Sequence, residues 1–377
     1  METMGGRDKT VVISGYYGFA NSGDEAVLHA ITTAVRDEAA AAGVNVRMVV
    51  LSANPAETTR IHGVEAVHRM RPLDLIRALW IADALISGGG SLLQDVTSSR
   101  SVPYYLGIVR LAQLMRKPVY IYAQGIGPIL DRKRFGPMIR SMFRACRYVS
   151  VRDQESKELL VSFGLKPDSI EVVPDPVMGM GAGISVSAAG PAREDLAVGV
   201  SVRYWREDRA DLKALAEGLR RVGEARPDVR FVLLPFHLPA DRDASEFVAG
   251  ELASAGLASE RVQVHSGTEH PREMLQLVSG CDVLVGMRLH SLIYAATTGV
   301  PPVGVSYDPK IDQFLRRLGE SPAGTTENLD AVALSGKVLQ RLEQGRLNWY
   351  RDKSTIIQEM QEDSRKPAQQ IFLASRI

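Results

Sequence analysis

Arg288, His290 and Lys310 are the residues of this chain best suited to chemistry. All three lie in the stretch Cys281–Lys310, CDVLVGMRLHSLIYAATTGVPPVGVSYDPK. Two are fixed cations and the third is an imidazole that titrates near neutrality, a combination suited to a small, doubly anionic ligand and a proton transfer. Val283–Val285 is an apolar run ended by Gly286, residues Ser291–Thr298 read as a short helix closed by Gly299, and Val303–Val305 leads into Tyr307, Asp308 and Lys310. In a parallel sheet such a strand–helix–strand unit brings both strand ends to one edge, where open α/β sheets bind their ligands. Arg288 and His290, two residues apart in an extended turn, then face the same ligand. For His290 alone the competing reading is a histidine that hydrogen-bonds a turn, and for Lys310 a solvated lysine after Asp308-Pro309. Arg288 at a strand end favours the ligand site for the first, and the shared edge does so for the second.

Other candidates lie nearer the N-terminus. Arg152 follows the apolar run Tyr148–Val151, with a surface ion pair to Asp153 or Glu155 as its competing role. The loop Gly15–Glu25, GYYGFANSGDE, does not match the G-x-G-x-x-G dinucleotide fingerprint. Asp24 near a helix start would repel a phosphate there. Tyr16, Tyr17, Asn21 and Asp24 suit a sugar, through aromatic stacking and bonds to hydroxyls; the competing reading is an Asn or Ser cap with packed tyrosines. Gly88–Gly90 is a tight turn or, at Gly89, a place where substrate approaches the backbone. Asp175, between two prolines, is a turn former or a rigidly held polar contact. The remaining histidines show no metal-ligand spacing, so no metal is expected.

The elements that must position these residues alternate strand and helix. Apolar runs at Val11–Ser14, Val46–Leu51, Ala66–Val67, Ala84–Ser87, Val119–Tyr122, Tyr148–Val151 and Val172–Val173 form one series. Ala197–Val202, Arg230–Leu234, Val262–Val264, Val283–Val285 and Val303–Val305 form a second. Helices at Ala26–Ala41, Arg69–Trp80 (with Leu73, Ile76, Leu79 and Trp80 at helical spacing) and Tyr104–Leu114 are expected in the first, among others. Such alternation implies parallel sheets. DALISGGGSL from Asp83 and DVLVGMRLHSL from Asp282 echo each other, aligning Ser91 with His290. The expected architecture is α/β: two Rossmann-like domains facing each other across a cleft, which is the default site. The boundaries fall at residues 1–180 and 190–353, with a Gly-rich linker at 178–194. A final helix over 354–377, kinked at Pro367, packs back on the first domain.

Composition excludes several function classes. At 377 residues the chain fits two domains, and a net charge of +1 argues globally against nucleic acid as a partner. Cys146 and Cys281 alone cannot build a disulfide framework and fit a reducing cytoplasm. The N-terminal METMGGRDKT lacks the apolar core of a signal peptide, and no run approaches the length of a membrane span.

The segments SGYYGFANSGDEA, ISGGGSLLQD, YAQGIGP, VSVRDQES, VPDPV and GMRLHSLIYAATTGVP appear in order between residues 14 and 301. Together they resemble the polysaccharide pyruvyl transferase family, and most of all its CsaB-type cell-wall branch. The resemblance implies a GT-B-like fold and transfer of the pyruvyl unit of phosphoenolpyruvate onto two hydroxyls of one sugar, giving a cyclic ketal. It implies a lipid-linked N-acetylmannosamine–N-acetylglucosamine acceptor, a precursor of a secondary cell-wall polymer whose pyruvylated form anchors S-layer proteins. No metal or organic cofactor is implied, phosphoenolpyruvate being a co-substrate. Arg152, Arg288 and Lys310 would neutralise its phosphate and carboxylate while His290 protonates its methylene carbon. Tyr16, Tyr17, Asn21, Asp24, Gly89 and Asp175 would meet the acceptor. The protein would be cytoplasmic, reaching the inner face of the membrane through its substrate. The rival on the same fold is a nucleotide-sugar glycosyltransferase. Such enzymes often carry a ribose-binding Glu five residues before the Gly of a Gly-x-Pro turn, where this chain has Tyr294.

Overall fold

A computed structural model of the chain describes residues 8–95, 100–182, 195–268 and 270–373. It divides into two compact units, residues 1–179 with 360–377 and residues 180–359. Most of the expected linker, from residue 183 to 194, lies outside the described residues, as do the chain ends before Asp8 and after Leu373.

Unit 1 is a parallel sheet of eight strands: β1 (Asp8–Ser14), β2 (Asn45–Ser52), β3 (Glu65–His68), β4 (Ala84–Ser87), β5 (Gly90–Leu93), β6 (Val119–Ile126), β7 (Tyr148–Val151) and β8 (Glu171–Val172). Their order is β3-β2-β1-β4-β6-β7-β8, with β5 set against β6, so the direction of winding reverses between β1 and β4. Unit 2 repeats the plan with β9 (Leu196–Ser201), β10 (Val229–Leu233), β11 (Val262–Val264), β12 (Val283–Gly286), β13 (Pro302–Ser306) and β14 (Gly324–Thr325), ordered β11-β10-β9-β12-β13-β14. Its reversal lies between β9 and β12. Both orders are Rossmann-like, and such reversal points are where α/β sheets hold ligands.

The central strands carry continuous apolar runs because helices cover both faces of the sheet. Leu85, Ile86, Val198, Leu284 and Val285 are essentially inaccessible, each removing surface worth roughly 1.5–3 kcal/mol from water. The echo between the two halves has a structural meaning. Asp83 sits just before β4, and its carboxylate accepts from Thr10 N in β1 at 2.8 Å. Asp282 sits just before β12 and accepts from Ala197 N in β9 at 2.7 Å. Each acid fixes the register of the pair that flanks the reversal point. Ser14 then pairs with Ser87, and Ser201 with Gly286, so Ser91 and His290 stand equally far beyond their strands.

Several elements differ from expectation. The first helix begins at Ser22, not Ala26, because the Asn21 side chain caps it by accepting from Gly23 N; Asp24 and Glu25 are therefore helical. β5 and β14 are additional strands, and Pro55–His62, Pro271–Ser279, Pro309–Arg317 and Ala331–Gln344 are additional helices. The C-terminal segment is two helices, Arg346–Asp363 and Lys366–Leu373, with Pro367 opening the second, where its missing N–H costs nothing. That second helix packs against the Ser22–Ala41 helix and β6 of unit 1, and Arg365 pairs with Asp37 at 2.8 Å. Among the described residues no helix is long and apolar enough to cross a membrane.

Candidate functional site

In unit 2 the carboxyl ends of β9, β10, β12 and β13 deliver Arg203, His237, Arg288 and Tyr307. Arg288 is the N-cap of the helix Leu289–Thr297, and His290 is that helix's second residue. This corrects the extended-turn geometry expected for the pair: what they share is a helix N-terminus. The close approach of that helix to β12 requires Gly286, since a Cβ there would sit 2.5 Å from Ser291 Oγ. The Arg288 side chain makes no cap bond to the first turn, leaving the helix dipole to favour an anion.

Arg288 is held by Asp241, a fully buried residue in the first turn of the helix Ala240–Ser254. Arg288 Nε donates to Asp241 Oδ2 at 2.9 Å and its terminal nitrogen donates to Oδ1, a two-point bond. Asp241 Oδ2 also accepts from Phe236 N at 3.2 Å and His237 N at 2.9 Å. A carboxylate so engaged fixes the guanidinium's plane and its distance from the β12 end. Arg203 is oriented differently, donating to the Tyr307 hydroxyl at 2.9 Å with the rings of Tyr307 and Trp205 at 4.8 and 5.3 Å. Burial, followed by the charge of Arg288, lowers the His237 pKa; Asp241 opposes the shift and Arg203 adds to it. Lys310 is the second residue of the helix Pro309–Arg317, where its N–H is capped by Asp308 and its ammonium stands 3.5 Å from the same carboxylate.

The sequence reading missed Asp241, Arg203 and His237 as members of this edge. For Arg203 and His237 the signal was present, a cation or imidazole just past a buried strand. Asp241 gave none, because an acid in the first turn of a helix ordinarily serves only the dipole.

Arg152 belongs to unit 1, where it sits with acids. Its guanidinium donates to Ser91 Oγ at 2.7 Å and lies 3.4 Å from Asp175 and 3.5 Å from Asp153. The side chain is 7% exposed, so the ion pair to Asp153 exists but is not a surface one. Asp175 Oδ1 accepts from Val177 N at 3.1 Å, which makes this residue a turn former and an Arg152 partner at once. Asp24 is near enough for Arg152 and Asp175 to act on it electrostatically. Burial, then the charge of Glu25, pushes the Asp24 carboxyl up to about 7, against the pull of Arg152. A helix N-terminus stabilises a carboxylate by only about 0.3–1 kcal/mol, so burial wins. Asn21 Nδ2 donates to Asp24 Oδ2 at 2.6 Å. Beneath, Glu25 accepts from Gly18 N at 2.8 Å and pairs with buried His62 at 2.9 Å, tying the loop after β1 to the helix.

Two acceptor-side expectations change. Tyr17 is fully buried and cannot stack on a sugar; its hydroxyl occupies space that Gly15 and Gly88 leave open, a Cβ at Gly88 lying 2.5 Å from it. Gly89 is likewise a packing glycine, its Cβ position 2.9 Å from Val27 Cγ1. Tyr16 does present a surface. It stacks on Phe19 with centroids 4.0 Å apart and planes at 7°, and both rings are exposed. Arg69 lies 5.3 Å from the Phe19 ring and donates to Gly15 O at 3.2 Å, bracing this platform.

The structure thus brings Arg288 and His290 to one helix N-terminus and places Lys310 on the next. It groups Asp24, Arg152 and Asp175 in the other unit. A family model described as polysaccharide pyruvyl transferase matches residues 21–309. Amylovoran biosynthesis protein AmsJ of Erwinia amylovora is 24% identical over 263 residues, 63% of this chain and 60% of that protein; the match thus spans less than two thirds of the relative. Solved structures match over nearly the whole length. UDP-GlcNAc 2-epimerase of Neisseria meningitidis, bound to UDP-GlcNAc, has a TM-score of 0.66 at 11% identity, covering 97% of this chain and 100% of that one. HepE of Anabaena, in complex with UDP and glucose, has a TM-score of 0.57 at 15% identity, covering 98% of each. At these identities the likeness is one of fold, GT-B-like with two Rossmann-like units.

Proposed function

The chain belongs to the polysaccharide pyruvyl transferase family, and from that premise we propose that it moves the pyruvyl group of phosphoenolpyruvate onto two hydroxyls of one sugar. The observation that carries the donor assignment is Arg288, locked by buried Asp241 at a helix N-terminus beside the β9–β12 reversal. Phosphoenolpyruvate brings a phosphate and a carboxylate, and Arg288, Lys310 and Arg203 supply matching cations.

His290, protonated, gives its proton to the methylene carbon, making the adjacent carbon electrophilic. A sugar hydroxyl attacks that carbon and loses its proton. The carbon–oxygen bond to phosphate breaks as the phosphate takes up the proton of the first hydroxyl, so that it leaves as the hydrogen phosphate dianion, stabilised by Arg288 and Lys310. The second hydroxyl then closes the ketal, and the proton it releases balances the one His290 gave. Asp24, its carboxyl raised to about 7, is the base we assign to a hydroxyl proton at neutral pH. Arg152, held by Ser91, Asp175 and Asp153 and close enough to act on Asp24, positions that carboxyl. The acceptor we propose is the N-acetylmannosamine unit of a lipid-linked disaccharide in secondary cell-wall polymer synthesis, as the CsaB-type motifs imply, with Tyr16 and Phe19 as its stacking surface.

Calorimetric titration with phosphoenolpyruvate, UDP and a UDP-sugar tests the reading without the acceptor. Binding of phosphoenolpyruvate alone, lost in Arg288→Ala, is expected. Binding of UDP in its place would return the chain to nucleotide-sugar transfer. Against that rival, Tyr294 is buried and packs on Phe236 at 5.5 Å, so no ribose-binding carboxylate occupies its position.

A further inference from the structure

Unit 1 carries apolar and basic surface that neither cluster uses. The helices Pro72–Ile81, Ser101–Leu114 and Arg132–Arg144 cover one side of its sheet through a single core that includes Leu79, Tyr105, Ile108, Phe135 and Ile139. Their outward side differs from an ordinary solvated surface in two independent respects.

The first is apolar. Leu73, Ile76, Leu79 and Trp80 recur at helical spacing, but of these only Leu79 is buried. The other three project from the opposite face, Trp80 at 72% and Leu73 at 67% exposure. A helix apolar on both faces calls for a cover on both. Leu114, at the end of the Ser101–Leu114 helix, is exposed as well, and Lys117 Nζ donates to Trp80 O at 2.9 Å, setting a cation at the rim of the stripe.

The second is charge. Residues 100–147 contain ten Lys and Arg and one carboxylate, Asp131, in a chain whose net charge is only +1. Arg110, Arg116, Lys133, Arg140 and Arg144 are all exposed on these helices and their ends. The near-neutral total therefore conceals a strongly basic side.

We propose that this side docks on an anionic lipid bilayer. Leu73, Ile76 and Trp80 enter the boundary between headgroups and acyl chains, and the surrounding arginines and lysines meet the lipid phosphates. Tryptophan and leucine flanked by basic residues is the pattern that interfacial helices use, and anionic leaflets attract clustered cations. A second copy of the chain fits less well, because two-fold pairing would press like charges together. Nucleic acid would engage the cations but leave the Leu73–Trp80 stripe uncovered.

The test needs no substrate, so its outcome is separate from that of the transferase reading. The full chain is sedimented with vesicles of phosphatidylcholine alone and of phosphatidylcholine mixed with phosphatidylglycerol, at low and high salt. We expect binding to the mixed vesicles only, weakened by salt. Leu73→Ser with Trp80→Ser should lower partitioning about tenfold or more, and so should Arg110→Glu with Lys133→Glu and Arg140→Glu. Trp80→Ala alone, a single surface change, serves if either combination fails to fold. Failure to bind mixed vesicles, equal binding to neutral ones, or variants that bind like the parent would overturn the proposal. So would a dimer that Trp80→Ser dissociates, or binding to a short RNA in place of vesicles.

Discussion

Replacing Asp24 by Asn should stabilise the protein while disabling it. The structure raises this carboxyl from an ordinary value of 3.8 to about 7. A carboxyl whose folded pKa exceeds its unfolded one binds more protons when folded, so stability is full below the unfolded value and is lost as pH rises toward the folded one. A tenfold change in proton affinity corresponds to about 1.4 kcal/mol, so ionising Asp24 above pH 7 costs up to about 4 kcal/mol. At about pH 5 only the first part of that loss has been incurred, under about 2 kcal/mol. Asp24→Asn keeps the size and a hydrogen-bonding partner for Asn21 but cannot ionise. Urea melts at about pH 8 should show the variant more stable by several kcal/mol, with the advantage shrinking to under half by about pH 5. Turnover of the same variant should fall by about 10²–10⁴ if the carboxylate accepts a hydroxyl proton. A variant no more stable than the parent at pH 8 would refute the argument that burial dominates this carboxyl. A more stable variant with undiminished turnover would leave the electrostatics standing and remove Asp24 from the chemistry.

Other consequences are accessible with the donor alone. His290→Gln should reduce phosphate release by about 10²–10⁴ while leaving phosphoenolpyruvate affinity nearly unchanged; unimpaired release would dismiss His290 as general acid. Arg288→Lys keeps the charge but loses the two-point bond to Asp241, so calorimetric affinity should drop about tenfold; equal affinity would mean that charge alone matters there. Asp241→Ala leaves the Arg288 charge without its buried partner and should cost about 3–5 kcal/mol in a denaturant melt, whereas a loss below about 1 kcal/mol would show the pair to be peripheral. His237, held below its ordinary pKa by burial and then by Arg288, should gain a proton when a dianion offsets the nearby cations. The binding heat should therefore vary with buffer ionisation enthalpy, and His237→Asn should diminish the variation.

How far the sequence was legible depends on what each residue answers to. Strand positions were readable because a doubly covered parallel sheet imposes unbroken apolar runs, as at Val119–Tyr122 and Val283–Val285. The role of Asp83 and Asp282 was half visible: the repeat showed in the sequence, whereas the bonds to Thr10 and Ala197 required the register. Tyr17 was misread because aromatic residues in a loop look alike whether they face solvent or fill the gap over Gly15 and Gly88. Leu73, Ile76 and Trp80 mark another limit. Periodicity identifies an apolar stripe but not which side of a helix meets the sheet, and here Ala78 and Leu79 occupy that side. Asp241 was invisible because its meaning lies in a partner 47 residues away.

The two units also show how one framework yields opposite electrostatics. Each places an acid before its central strand, reverses its winding beside that strand, and sets a polar residue at the same distance beyond it, Ser91 or His290. Past that strand the two chains diverge. In unit 1 the chain past Gly90 continues as β5, putting Ser91 on a strand where its hydroxyl takes a bond from Arg152 among three carboxylates. In unit 2 the chain turns at once into a helix, so His290 stands at an N-terminus with Arg288 as the cap. The strand leaves the first edge rich in acids, one of them pushed up to about 7. The helix adds its dipole to the cations of the second, where His237 is held below its ordinary pKa. An edge rich in acids and an edge rich in cations therefore arise from the same repeat, through the choice of β5 or helix after equivalent strands.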